Sequence, residues 1–330
     1  MPSFLRILLT SARPQNRFCA WSGKIINARF PSFIFQVLMA ASIWKDKVVT
    51  LYNGICMPAI GLGTFRLKGQ ETIDLAVGAA LHQGYRHIDT ASVYRNEGHI
   101  AETLQKLQIP RGDIFITSKL GPKDHGTEKA EKAFLQTLTN LKTDYLDLYL
   151  IHWPGVQGLK VEDPQNRVLR QQSWQVLERL YNKGQIKAIG VSNYGIKHLE
   201  ELLENCHIKP HVNQVEVHPH YKQQPLLAFC EGHDIHVTAY SSLGTSVKDV
   251  NHLISDARVA QIADRRGLSS AQVLLLWALE KGLSVLPKSS NPQHIKENIN
   301  FKAKLSSEDM DELDAMEINT KYAWNAEFVL

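Results

Sequence analysis

The sequence predicts one α/β domain folded as a (β/α)8 TIM barrel, with an N-terminal β-hairpin cap and extra helices. Three observations carry this. Short apolar runs alternate with amphipathic helical runs along the chain. About eight such units follow one another in roughly 280 residues, and barrels of roughly 250 residues or more are usually one domain. Nearly every apolar run ends in a residue able to bind or titrate. Strands that alternate with helices imply parallel βαβ units. An open doubly wound sheet is the competing architecture.

In chain order, Val48 to Leu51 and Cys56 to Met57 flank Asn53-Gly54. Asn and Gly tolerate positive φ, so this reads as a hairpin, placed to cap the bottom of the barrel. Strand-like runs follow at Ile60 to Gly63, His87 to Asp89, Ile114 to Lys119, Leu146 to Ile151, Ala188 to Ser192, Val212 to Glu216, His236 to Tyr240 and Leu283 to Leu286. Helical runs fall between them. Ile73 to Gln83 ends at Gly84, a C-cap glycine. Thr127 to Leu141 carries Ala133, Leu135, Leu138 and Leu141 on or near one face. Gln172 to Lys183 ends at Gly184, and Ser269 to Lys281 ends at Gly282. Asp256 to Arg266 precedes that last helix, and Ser306 to Met316 follows the final strand.

The composition suits one large core, with 44% hydrophobic residues in 330. The formal net charge is +4, mildly basic, and no basic stripe is interleaved with aromatics, which argues against nucleic acid. A basic pocket for a phosphorylated small molecule stays open. The four cysteines form no CxxC or zinc-like spacing and read as reduced thiols. No apolar run reaches the roughly 20 residues of a membrane helix. From Met1 to Lys45 there is no acidic residue, while Arg6, Arg13, Arg17, Lys24 and Arg29 are scattered among apolar residues and Ser. Residues 1–41 therefore read as a leader, and 42–330 as the barrel domain. A mitochondrial transit peptide, a true start at Met39 and simple disorder all remain open for the leader. The cytoplasm is the expected compartment, with the mitochondrion as its alternative.

In a barrel, chemistry sits at the C-terminal ends of the strands. Those ends read Asp89, Lys119, His152, Ser192-Asn193, Gln214, Tyr240 and Lys288. They are far apart in sequence but converge on one mouth.

At these positions the chain resembles the aldo-keto reductase superfamily. The resemblance rests on Gly61-Leu62-Gly63-Thr64-Phe65, Asp89-Thr90-Ala91-Ser92-Val93-Tyr94, Thr117-Ser118-Lys119 and Ile151-His152-Trp153-Pro154. It continues through Gly190-Val191-Ser192-Asn193, Asn213-Gln214-Val215-Glu216, Tyr240-Ser241-Ser242-Leu243-Gly244 and Leu286 to Pro292. It runs from about Val48 to the C-terminus. Many motifs in one order make it specific. It implies hydride transfer from NADPH to an aldehyde or ketone, with a catalytic tetrad of Asp89, Tyr94, Lys119 and His152. It also implies a dinucleotide extended across the barrel mouth, so no Rossmann glycine motif is expected. Ser192, Asn193 and Gln214 would bind the nicotinamide carboxamide, and Tyr240 would stack on its ring. Ser241, Leu243 and Gly244 would wrap the pyrophosphate, and Lys288, Ser289 and Ser290 would meet the 2′-phosphate. Glu297 and Asn298 would lie near the adenine, and Gly63, Thr64 and Asp89 complete the cofactor set. His294 stands where the family often has Arg, which weakens the expected preference for NADPH over NADH.

Physical chemistry agrees with those roles. Hydride addition leaves an alkoxide that needs a proton. A free phenol has a pKa of about 10. A lysine ammonium about 4 Å away, at an effective dielectric near 20, is worth on the order of 4 kcal/mol. After desolvation losses, Lys119 is expected to bring Tyr94 down to roughly 8, with Asp89 holding Lys119 charged. His152 is expected to orient the carbonyl as a neutral ring. Phe65 and Trp153, with Tyr94 and His152, are expected to line the substrate pocket. His218-Pro219-His220-Tyr221 invites a metal reading, but only Glu216 could complete a ligand set nearby, so no metal is expected.

Two alternatives of other classes share the barrel: an NADPH-binding regulatory subunit, and a structural protein with a decayed site. A metal-dependent barrel hydrolase lies outside the family and would need neither the Tyr/Lys pair nor Lys288. The short tail from Tyr322 resembles the glyoxal and diketogluconate reductases. It predicts an open mouth and broad specificity for aldehydes, α-dicarbonyls and sugar-derived ketones; no dimer-forming stripe is evident, so a monomer is expected.

Overall fold

The computed structural model describes residues 44–244 and 252–330. The leader and Met39 lie outside the described residues. Hairpin strands β1 (Val48–Thr50) and β2 (Cys56–Pro58) pair antiparallel. Gly54 makes the turn with φ 84°, and the Asn53 side chain accepts the Ile55 N–H at 3.2 Å. The hairpin's Leu51 and Met57 pack on Phe115, Leu148, Ala188 and Val212, near the starts of four barrel strands. It plugs the bottom of the barrel, as expected.

Eight parallel strands follow: β3 (Leu62–Gly63), β4 (His87–Asp89), β5 (Phe115–Leu120), β6 (Leu146–Ile151), β7 (Ile186–Ser192), β8 (Val212–Glu216), β9 (His236–Tyr240) and β10 (Ser284–Val285). They pair in chain order from β3 to β10. The sheet then closes on itself. Val285 N–H donates to Ala59 O at 2.9 Å, Gly61 N–H to Val285 O at 2.9 Å, and Gly63 N–H to Pro287 O at 3.1 Å. A Cβ on Gly63 would lie 2.7 Å from the Leu286 carbonyl oxygen. The seam therefore needs glycine, which lets two backbones approach closely.

Helices cover the barrel. Thr127–Leu141 buries Ala130, Phe134, Thr137, Leu138 and Leu141, one stripe at helical spacing. Ser270–Glu280 is buried almost all round from Gln272 to Leu279, and the Ser269/Gln272 capping box fixes its start. Ala257–Arg266 and Ser307–Asp314 are the extra helices around it. Four helices did not stand out in the sequence: Glu97–Lys106, Ile196–Asn205, Gln224–Gly232 and the short Pro292–Glu297. The helix expected from Gln172 begins earlier, at Gln165, directly after Asp163-Pro164. Proline is preorganised for a first helical turn.

Of the cysteines expected to be reduced, Cys206 and Cys230 are free thiols. Among the described residues, no helix is long and apolar enough to cross a membrane.

Candidate active site

Parallel strand order brings all the strand-end residues to one mouth. Asp89 ends β4, Lys119 lies one residue before the end of β5, and His152 follows β6. Ser192 ends β7, Gln214 lies two residues before the end of β8, and Tyr240 ends β9.

The deepest feature is an ion pair. Lys119 is fully buried, and its Nζ donates to Asp89 Oδ1 at 2.5 Å and to Thr90 O at 2.8 Å. The other carboxylate oxygen accepts from Gln214 Nε2 at 2.8 Å, across the barrel. Burial lowers the Lys119 pKa and Asp89 opposes that fall. Thr64 hydroxyl donates to Asp89 O at 2.8 Å and steadies the strand end.

Tyr94 stands above this pair on the short 3-10 turn Ser92–Tyr94. Its ring centre is 5.2 Å from Lys119 Nζ and 5.7 Å from the His152 ring, nearly perpendicular at 78°. The expected direction of the Tyr94 shift is corrected. Burial first, then the charge of Asp89, then Tyr240, hold the phenol well above its ordinary value. The physical reason is desolvation of the phenolate, to which the negative charge of Asp89, paired with Lys119 at 2.5 Å, adds. Burial, with Lys119 adding to it, takes His152 down to about 3, so the ring is neutral as expected.

Around this centre runs a continuous hydrogen-bonded belt. Gln214 O accepts from Ser192 Oγ at 2.8 Å and from Asn193 N–H at 3.0 Å. Asn193 has φ 64°, a left-handed conformation that Asn tolerates. Its Nδ2 donates to His152 O at 2.9 Å, and its Oδ1 accepts from Tyr240 OH at 2.6 Å. Ser241 (φ 50°) and Gly244 (φ 74°) turn the chain after β9, with Gly244 N–H on Ser241 O at 2.7 Å. Leu243 lies in the same turn, partly buried.

Beyond β10, Lys288 and Ser290 are exposed, and Ser289 Oγ accepts the Asn291 N–H at 3.0 Å. His294 is exposed on the helix Pro292–Glu297, where Glu297 bonds Gln293 and Asn298 is buried. The structure thus gathers the tetrad and the Ser192, Asn193, Gln214, Tyr240 set into one network. The residues after β10 form a separate group, with Lys288, Ser290 and His294 facing solvent and Asn298 buried.

The mouth has aromatic walls. Phe65 leans on Tyr94 at 5.2 Å, and Trp324 meets Phe65 edge-on at 6.0 Å. Trp153 is held through its carbonyl by His125 Nε2 at 3.0 Å. The short tail is tied down rather than free. Glu216 accepts Tyr322 and Ala323 N–H groups, His198 Nε2 donates to Val329 O at 2.8 Å, and Arg170 bonds Leu330 O. His218 and His220 serve this anchoring, bonded to Glu216 and to Asp256 and Tyr322. Among the described residues, no group of three or more His, Cys, Asp or Glu could hold a metal ion.

The Aldo/keto reductase family model matches residues 59–318. The chain is 41% identical over 287 residues to the glyoxal reductase of Bacillus subtilis (strain 168), covering 87% of this chain and 98% of that protein. It is 40% identical over 270 residues to the 9,11-endoperoxide prostaglandin H2 reductase of Trypanosoma cruzi (strain CL Brener), covering 81% and 90%. Among solved structures, an aldo-keto reductase enzyme from a Medee basin deep-sea metagenome library superposes with TM-score 0.77 at 38% identity, covering 85% of this chain and 98% of that one. The aldose reductase of Schistosoma japonicum gives TM-score 0.74 at 37% identity, covering 83% and 93%.

Proposed function

Because the chain belongs to the aldo/keto reductase family, we propose that it reduces aldehydes and ketones to alcohols with NADPH, Tyr94 giving the proton. The observation that carries this is the buried Lys119–Asp89 pair set beneath Tyr94 and His152 at the barrel mouth.

The residues present fit a phosphorylated dinucleotide. Lys288 is exposed, forms no ion pair among the described residues, and stands with the hydroxyls of Ser289 and Ser290. An unneutralised ammonium beside two hydroxyls suits a phosphate monoester. Ser192, Asn193 and Gln214 would hold the carboxamide, and Tyr240 the ring face. Ser241, Leu243 and Gly244 would follow the pyrophosphate; His294, Glu297 and Asn298 would face the adenosine end. When bound, the reduced cofactor supplies the hydride.

The chain's own residues handle the proton. Hydride addition puts negative charge on the carbonyl oxygen. Tyr94, with its pKa raised by burial, rests protonated and is the acid beside that oxygen. An alkoxide is a stronger base than a phenolate, so a raised phenol still donates. Lys119 Nζ, 5.2 Å from the ring, steadies the phenolate left behind. His152, neutral in its buried position, donates a hydrogen bond that orients the carbonyl. Phe65, Trp153 and Trp324 offer apolar walls to the rest of the substrate. The likeness to a glyoxal reductase supports small α-dicarbonyls as one substrate class.

The test is loss of NADPH absorbance with methylglyoxal, 4-nitrobenzaldehyde and 9,10-phenanthrenequinone. Turnover of at least one is expected. Tight NADPH binding with no turnover of any would put a regulatory or structural role first. We further propose that the protein acts in the cytoplasm as a monomer on small molecules, with a single-protomer mass in light scattering as the check on its oligomeric state.

A further inference from the structure

Glu216 closes β8 at the mouth and is fully buried, and its hydrogen bonds go to the C-terminal tail and His218. Its Oε1 accepts Tyr322 N–H at 2.6 Å and His218 Nε2 at 3.0 Å. Its Oε2 accepts Ala323 N–H at 2.9 Å, and Lys321 Nζ lies 3.8 Å from the same oxygen. A buried carboxylate is tolerated only when its oxygens are saturated. Three of these four partners belong to one stretch of tail. His220 fixes the same stretch. Its Nδ1 accepts from Tyr322 OH at 2.8 Å, its Nε2 donates to Asp256 at 3.1 Å, and its carbonyl accepts Thr320 N–H at 2.8 Å.

The residue after this clamp is Trp324, 63% exposed. So exposed a side chain gains little burial to hold it, and its position follows from the clamped backbone beside it. Its ring meets Phe65 edge-on at 6.0 Å, and Phe65 leans on Tyr94 at 5.2 Å. Three rings therefore form one wall from the proposed proton donor to solvent.

We propose that Glu216 is a positioning residue for substrate selection. By fixing 321–323 it stands Trp324 beside Phe65, and carbonyl compounds bearing an aromatic or extended apolar group are selected over small dicarbonyls. A small dicarbonyl at Tyr94 ends before this outer ring; a longer substrate reaches it. The inference rests on the reductase reading.

The test compares kcat/KM for 9,10-phenanthrenequinone with that for methylglyoxal in wild type, Glu216→Gln, Trp324→Ala and the double variant. One aromatic edge contact corresponds to roughly a two- to tenfold change. The quinone-to-methylglyoxal ratio falls by roughly fivefold in each single variant, through KM for the quinone. It falls no further in the double variant, because Glu216 acts through Trp324. Additive losses, or an unchanged ratio in Glu216→Gln, would overturn the proposal. Hydrogen exchange reads the clamp without turnover: the Tyr322 and Ala323 amides are protected in wild type and exchange at least roughly tenfold faster in Glu216→Gln. Equal exchange in both would also overturn it. Should Glu216→Gln fail to fold, Ala323→Pro removes one donor, leaves the carboxylate in place, and is held to the same ratio. If wild type turns over neither compound, the reductase reading fails and the selectivity claim with it, while the exchange result still reports the clamp. If turnover is normal and the ratio does not move, this inference alone fails.

Discussion

Removing the Lys119 ammonium while leaving Asp89 in place is the sharpest perturbation of the barrel's centre. Lys119→Met strands a carboxylate that is 4% exposed and keeps only Gln214 as a side-chain donor. Breaking one side of a buried ion pair typically costs about 3–5 kcal/mol. For a domain of this size that lowers the melting temperature by roughly 6–15 °C. Replacing both partners is a different experiment. Asp89→Asn with Lys119→Met removes both charges, and the Asn oxygen still accepts from Gln214 Nε2. Thr90 O, the other Lys119 acceptor at 2.8 Å, loses its partner and keeps a residual cost of about 1–3 kcal/mol. The double variant should recover at least half of the lost melting temperature while reductase activity stays absent in both. The assay is a thermal melt followed by circular dichroism, beside carbonyl-dependent NADPH oxidation. A double variant as unstable as Lys119→Met would refute the reasoning, since the penalty would not come from an unpaired charge. A Lys119→Met melt equal to wild type would refute it from the other side.

Two further outcomes follow from the structure. Burial brings His87, His125 and His236 down to about 4 and His152 to about 3. The unfolded chain protonates these rings below about 6.5, so their contribution to stability is fully present above that pH. It is lost as pH falls toward 4, at on the order of 1 kcal/mol per pH unit for each ring. The melting temperature should drop steeply between pH 7 and pH 5, and a flat profile there would contradict neutral buried histidines. Lys288→Met should weaken NADPH binding by roughly 10- to 100-fold, the size of one charge-assisted hydrogen bond, and leave NADH nearly unchanged. Fluorescence titration with both cofactors decides this, and equal losses for the two would remove Lys288 from the phosphate site.

Much of the barrel was legible because its strands are short apolar runs with clear ends. β4, β6, β8 and β9 begin and end where the residue pattern places them. The missed helices carry weaker signals. Glu97–Lys106 has Gly98 in its first turn, and Ile196–Asn205 follows Gly195, which has no side chain to cap it. Its Ile196, Leu199 and Leu202 spacing was nonetheless readable as one helical face. At the site, residue identity and strand position were readable, while contacts between distant segments were not. Gln214 and Asp89 are 125 residues apart, and Glu216 and Tyr322 are 106 apart. No local pattern encodes such pairings. The Tyr94 shift was not legible for a related reason: its direction depends first on burial of the ring by distant segments and then on the charge of Asp89.

The most direct test of the account is kcat/KM for methylglyoxal in Tyr94→Phe, measured beside its affinity for NADPH. Loss of the positioned acid should lower kcat/KM by at least roughly 100-fold while NADPH affinity stays within about twofold of wild type. A Tyr94→Phe enzyme that reduces methylglyoxal at the wild-type rate would contradict the assignment of the proton to this phenol.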